Sequence, residues 1–281
     1  MNASITQLLD LDQLDANLFR SKFHRENFRK TLFGGQVLCQ ALAAASATVE
    51  GRLPHSLHAY FLRPGSSEIP VIYDVEVVRN GRSVSSRRVV ARQFGNPILN
   101  MSVSFQIEEE GFFHAEPVAD VPTAEEIKKK REYDSLKPEE LDDQSPEQQA
   151  LPFEIVPVNE TLFTDKTPSS PEALIWMKVN EKLPDDPLVH LCALTFASDL
   201  GLLATALLPH NASLFDKNLF IASIDHAMWF HSNKFRADEW MLCSTYSPWA
   251  GNARGFALGK VYDSHKRLAI STAQEGMIRR L

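Results

Sequence analysis

Hydrophobic and polar residues alternate with a period of two over residues 55–62, 71–78, 83–93 and 98–107, which predicts four β-strands in the first half of the chain. Asn80-Gly81 reads as the turn between the second and third strands, and Gly95-Asn96-Pro97 as the turn between the third and fourth. Ahead of them, residues 33–49 form an alanine-rich stretch that opens on Gly34-Gly35. That composition predicts a helix whose small side chains let it lie close against a sheet. The second half repeats the order, with a strand at 173–179, a long apolar helix over roughly 188–208, and strands at 219–230, 240–246, 254–261 and 268–278. The counterpart of its leading strand is expected at 16–23.

Short motifs repeat along with the elements. Gln106 follows His58-Ala59-Tyr60-Phe61-Leu62 at the same separation as Gln274 follows His226-Ala227-Met228-Trp229-Phe230. A duplicated fold needs its site in one half only, so positions where the halves differ are candidates for function. Between the halves, residues 108–171 hold half of the 16 prolines and most of the charge runs, and read as a linker. One helix is expected inside it, at 123–133, where Glu125 and Glu126 precede Lys128, Lys129, Lys130 and Arg131 as the helix dipole favours. The expected organisation is a repeat at 1–110, a linker at 111–170 and a repeat at 171–281. The class is α+β, each helix lying on a mainly antiparallel sheet, and edge-to-edge pairing of the two sheets would make one extended sheet.

A formal charge of -7 argues against a broad nucleic-acid or membrane surface, so an anionic ligand has to meet a local basic patch. Cys39, Cys192 and Cys243 sit in apolar surroundings without metal or redox spacing and are expected to be reduced, buried thiols. No basic segment followed by an apolar run opens the chain, and no run of about 18 apolar residues occurs, so the cytoplasm is the expected compartment.

Aligning Phe33-Gly34-Gly35-Gln36 with Phe196-Ala197-Ser198-Asp199 sets Gln36 opposite Asp199, so only the second half carries a carboxylate there. In an apolar helix such a charge is costly unless partners or water reach it, which makes Asp199 the first catalytic candidate. A solvent-facing Asp199, or one that caps a restarted helix with Ser198, is the alternative. Ser223 and Gln274 are strand residues that read alone as a structural hydroxyl and a sheet amide. Other chemistries fail on spacing. Gly81-Arg82-Ser83-Val84-Ser85 lacks the second glycine of a nucleophile elbow, and there is no phosphate-cradling loop or dinucleotide fingerprint. His55 and His58 lie in a strand, so their helical spacing does not make a zinc site, and neither metal nor cofactor is expected. Asp225 and His226 are adjacent strand residues that point to opposite faces, so His226 is expected to pack or hydrogen-bond as His58 would.

Five ordered blocks, Phe33–Gln36, His58–Gly65, Phe196–Leu200, Ile224–His231 and Gln274–Gly276, together resemble the type II acyl-CoA thioesterases, the TesB-like family. The resemblance covers nearly the whole chain. It implies a double hotdog fold and hydrolysis of fatty acyl-CoA without a metal or a covalent acyl-enzyme. Carried across position by position, it implies Asp199 as the base, with Ser223, at a position that takes Thr or Ser, and Gln274 holding the attacking water. Backbone N–H groups at Gly34 and Gly35 would serve the oxyanion and admit the substrate closely. His58, Arg87, Arg88 and Arg254 complete the expected substrate-binding set, with Arg82 and Arg92 as further cations for the CoA phosphates. Two other readings compete. A hotdog enoyl-CoA hydratase needs Asp and His a few residues apart on one loop, whereas the fifth position after Asp199 is Ala204. A non-catalytic acyl-CoA sensor would need only a decayed site. Exposed sheet edges and the resemblance point to a homodimer or tetramer.

Overall fold

The structure is a computed structural model that describes residues 3–25, 31–135, 151–159, 167–214 and 216–281. A short helix α1 (Ile5–Leu8), closed by a Ser4/Gln7 capping box, leads into strands β1 (Leu11–Asp15) and β2 (Leu18–Ser21). Helix α2 (Gly34–Ser46) and strands β3 (Leu53–Phe61), β4 (Ile72–Asn80), β5 (Val84–Gln93) and β6 (Asn96–Gln106) complete the first repeat. The β5–β6 turn is Phe94-Gly95, both at positive φ, one residue earlier than the Gly-Asn-Pro signal suggested. The helix expected in the linker is α3 (Ala124–Ser135).

The second repeat runs through β7 (Phe153–Pro157), β8 (Glu172–Val179), α4 (Pro187–Ala197), a 3-10 turn η1 (Leu203–Leu207), β9 (Leu219–Ser223), β10 (Asp225–Phe230), β11 (Met241–Gly251), β12 (Arg254–Tyr262) and β13 (Leu268–Arg280). The described strands form one sheet in the order β1-β2-β4-β5-β6-β3-β10-β13-β12-β11-β8-β7, with β9 also pairing with β13. From either edge inward the order is the same, β7 standing for β1, β8 for β2 and β10 for β3. The duplication therefore reaches into the segment expected as linker, which supplies β7. The repeats join where β3 and β10 pair antiparallel, Tyr60 opposite Asp225 and Ser56 opposite Trp229.

One sheet face covers both helices. In β5 the inward side chains Ser85, Arg87, Val89, Ala91 and Gln93 alternate with more exposed ones, as a half-buried strand requires. Helices α2 and α4 pack against each other, with the rings of Phe33 and Phe196 4.9 Å apart, and one apolar cluster spans both repeats. A Cβ on Gly35 would lie 2.2 Å from the Phe196 carbonyl oxygen, so the absence of a side chain sets how closely the helix ends approach.

Two elements depart from expectation at places that matter below. The helix expected over 188–208 ends at Ala197: the Ser198 hydroxyl turns back onto the Thr195 carbonyl, and Gly201, at φ +75°, reverses the chain. The apolar periodicity carried on because η1 is buried too. The strand expected over 219–230 breaks into β9 and β10. Between Ser223↔Gly276 and Ala227↔Ala273, three residues, Ile224, Asp225 and His226, face two, Gln274 and Glu275, which is a bulge. Ile224 bridges the seam, its N–H donating to Glu275 and its carbonyl accepting from Phe61. Strand 16–23 is shortened to β2 and preceded by β1, which the sequence pattern did not show.

Gly35→Ala is expected to cost about 1–3 kcal/mol in a denaturant titration, because the contact it would crowd is backbone and cannot swing away. Wild-type stability would refute the close-approach account.

Candidate active site

Four elements converge at the junction of the repeats. The end of α4 presents Asp199, the last residue of β9 is Ser223, the bulge turns His226 inward, and β13 contributes Gln274. The Asp199 Oδ1 accepts hydrogen bonds from Gln274 Nε2 at 2.6 Å and Ser223 Oγ at 3.0 Å, while Gln274 Nε2 and Ser223 Oγ stand 3.1 Å apart. Oδ2 lies against Gly34, where a Cβ would come within 2.6 Å of it and 3.0 Å of the Phe61 ring. Oδ1 therefore takes both side-chain donors, and Oδ2 lies beside a residue without a side chain.

Electrostatics explain how a charge persists here. Burial pushes the Asp199 carboxyl up to about 6, while Gln274, Ser223 and the backbone N–H of Gly35 pull it down and limit the rise. Asp199 follows the C-terminal end of α4, the unfavourable end of a helix dipole for an anion, but faces the N-terminal end of α2, the favourable one. Phe33, the residue before α2, offers no side-chain cap, so the first N–H groups of α2 are left for other acceptors. A carboxyl poised near 6 is charged at neutral pH and basic enough to take a proton.

His226 is buried, and burial pushes it down to about 3, so it is neutral. Its Nδ1 lies 3.0 Å from Gln274 Nε2 and its Nε2 lies 2.8 Å from Ser198 Oγ. The expectation that His226 hydrogen-bonds holds, but its partner is a candidate catalytic residue, which strand alternation alone did not reveal because the bulge resets it.

The expected substrate-binding residues divide. Gly34 and Gly35 lie beside Asp199, yet the close approaches they permit are to Asp199 and the Phe196 carbonyl. His58 is exposed on the outer face, edge-on to Trp229 with ring centroids 5.4 Å apart, and is not part of the constellation. Arg87 is a correction: it is buried, donating to Thr48 Oγ1 and the carbonyls of Thr48, Arg79 and Ser86, just past the C-terminal end of α2. A 13-residue helix places that end roughly 20 Å from Gly34. Arg88 is exposed and paired with Glu76, and Arg254 pairs with Glu275 at 2.8 Å over the Trp249 ring, on the opposite face of the sheet from Gln274. Arg92 donates to the Gly95 carbonyl and the Arg82 carbonyl accepts from Arg52. A depression lined by His190, Arg236, Asp263 and Arg267 lies outside the constellation, and its two arginines are paired with Asp238 and Asp263.

A duplicated helix-on-sheet fold thus carries, where its repeats join, a carboxylate with a hydroxyl and a carboxamide on one of its oxygens. Residues 152–277 match the family model described as acyl-CoA thioesterase, and residues 24–106 the model described as acyl-CoA thioesterase N-terminal domain. The human protein named acyl-coenzyme A thioesterase 8 is 38% identical over 98% of this chain and 88% of its own length. The crystal structure of the acyl-CoA thioesterase II TesB2 of Mycobacterium marinum superimposes with a TM-score of 0.81 at 35% identity, covering 99% of both chains. A hot dog fold protein from Alicyclobacillus acidocaldarius shares the fold at 17% identity and a TM-score of 0.78, over 100% of both chains. The chain belongs to the TesB-like, type II acyl-CoA thioesterases, with a double hotdog fold, and its reaction is hydrolysis of an acyl-CoA thioester.

Arg87→Met should leave the KM for acyl-CoA within about twofold of wild type while lowering stability by about 2–3 kcal/mol, as loss of buried charged hydrogen bonds does. A several-fold rise in KM with unchanged stability would return Arg87 to the substrate.

Proposed function

We propose that Asp199 is the general base of this hydrolysis, and that Ser223 and Gln274 hold Asp199 and the attacking water in register. The supporting observation is that all three side chains meet within hydrogen-bond distance at Asp199 Oδ1 while Oδ2 faces the glycine at the start of α2. Water gives a proton to Oδ2 as its oxygen attacks the thioester carbonyl carbon, and the charge that develops on the carbonyl oxygen is met by the Gly34 N–H. The tetrahedral intermediate then collapses, the C–S bond breaks, and Asp199 returns the proton to the departing CoA sulfur. The products are a carboxylic acid and free CoA, with the carboxylate restored. Gln274 Oε1, buried and without a hydrogen-bond partner among the described residues, is an acceptor that suits the second proton of the same water.

The substrate class proposed is a fatty acyl-CoA, bound with Gly34 and Gly35 at the reacting carbonyl. The assembly proposed is a homodimer or tetramer, supported by Tyr60, Trp229, Tyr246 and Leu258, which are exposed on the outer face. Three buried free thiols support the cytoplasm as the compartment.

Thiol release from a ladder of acyl-CoAs tests the base. Asp199→Asn keeps an acceptor for Ser223 and Gln274 but cannot take a proton, and a fall in kcat of about 10³-fold is expected; full turnover would refute the assignment. For the wild type, kcat/KM should fall about tenfold per pH unit below about 6, because protonated Asp199 is not a base. Folding raises this carboxyl, so the native state binds its proton more tightly than the unfolded chain does. The charged form costs stability above about pH 6, and that cost disappears on acidification. Asp199→Asn should therefore melt at or above the wild-type temperature at neutral pH, and a large drop would contradict the burial cost.

A further inference from the structure

His226 is a buried ionisable group that water activation as proposed above leaves without a task. We propose that His226 is a positioning residue: anchored by Ser198, it fixes the carboxamide of Gln274 with its nitrogen toward Asp199. This rests on the reading of Asp199 as the base.

The orientation follows from one hydroxyl proton. Ser198 Oγ lies 2.9 Å from the Thr195 carbonyl oxygen, which can only accept, and 3.2 Å from the Met228 sulfur, a much weaker acceptor. Ser198 therefore gives its proton to Thr195 and accepts from His226 Nε2–H at 2.8 Å. That tautomer leaves His226 Nδ1 bare, and a bare ring nitrogen 3.0 Å from the Gln274 amide must face its NH2 rather than its oxygen. The second amide proton is then directed at Asp199 Oδ1, 2.6 Å away. The bulge between β9 and β10 makes this possible, since it lets Ser223 and His226 both reach Gln274.

The anchor matters most during turnover. A charged Asp199 itself holds the NH2 of Gln274 on Oδ1, but once Oδ2 takes the water's proton Oδ1 is a weaker, neutral acceptor and holds the amide less firmly. His226 Nδ1 presents the same acceptor in both states, so the amide stays put through the cycle. Burial keeps the ring neutral and that acceptor available across the working range of pH. Among the described residues, His226 is in hydrogen-bond contact with Ser198 and Gln274, and it reaches Asp199 through Gln274. The neighbouring acids Asp225 and Glu275 lie on the other face of β10 and β13, where Asp225 accepts from the Glu275 N–H.

The test uses the full chain carrying His226→Leu, His226→Asn or Ser198→Ala, beside Asp199→Asn, with thiol release from one acyl-CoA followed across pH. His226→Leu removes the acceptor. A kcat about 10 to 100-fold lower is expected, with KM within about threefold, and the acid limb of kcat/KM moved upward because a turned amide takes its N–H donor from Oδ1 and disfavours the charged carboxylate. His226→Asn, whose carbonyl can still accept from Gln274, should recover most of the loss and return the limb, and Ser198→Ala should fall between. Wild-type kcat with an unmoved limb in His226→Leu overturns the proposal. So does equal impairment of the Leu and Asn variants with an unmoved limb, which is the signature of lost packing. If His226→Leu does not fold, Ser198→Ala decides: a moved limb supports the proposal, and wild-type kcat with an unmoved limb overturns it. Full turnover by Asp199→Asn would instead refute the parent reading, whatever the His226 variants do.

Discussion

Keeping one carboxylate charged in an apolar junction is the constraint on which the rest of this site depends. Left alone, Asp199 would take up a proton and could not be the base proposed for it. The fold answers with two donors on Oδ1 and the N–H of Gly35, and brings the positive end of α2 to face a residue that follows the negative end of α4. The result lies between the extremes, a carboxyl at about 6 that is ionised at neutral pH yet basic enough to act. Both glycines at the start of α2 serve this balance. Gly35 lets the two helix ends approach, and Gly34 leaves room for Oδ2 beside it.

The duplication explains why a single site suffices and why it sits at the seam. Asp199, Ser223 and Gln274 come from the second repeat, but the helix end that stabilises the charge comes from the first, and β3–β10 pairing holds the two together. The second repeat supplies every side chain of the constellation, and the first supplies the helix end that faces it. In the first repeat the position aligned with Asp199 is Gln36, which is buried and accepts from the Arg25 N–H, a structural use of the same place in the fold.

Much of this was legible in the sequence, because period-two alternation and the repeated blocks report burial and order directly. Strands β3 to β6, β8 and β11 to β13 and helix α2 fall where the pattern puts them, within a few residues. What escaped had physical reasons. Apolar periodicity runs on through η1, so it hid the break that places Asp199 at a helix end rather than mid-helix. An extra residue in a bulge leaves alternation looking continuous, so β9 and β10 read as one strand. Short edge strands such as β1 and β7 carry too few inward residues to stand out, and β7 was masked by the surrounding prolines. Cations were the hardest to read, since Arg87 and Arg254 show the same chemistry in sequence whether they meet a phosphate, a helix end or a neighbouring glutamate. His226 escaped because both repeats carry a histidine there, so a search for differences between the halves passed over it, although one histidine is exposed and the other buried.

The most direct test of the account is to titrate the Asp199 carboxyl itself, as the difference in carboxyl carbon NMR signals between carbon-13 aspartate-labelled wild type and Asp199→Asn. A midpoint at about 6, coinciding with the acid limb of kcat/KM, is the predicted result. A midpoint in the ordinary carboxylate range near 4, or one that does not track activity, would contradict a buried base held by Gln274, Ser223 and the start of α2.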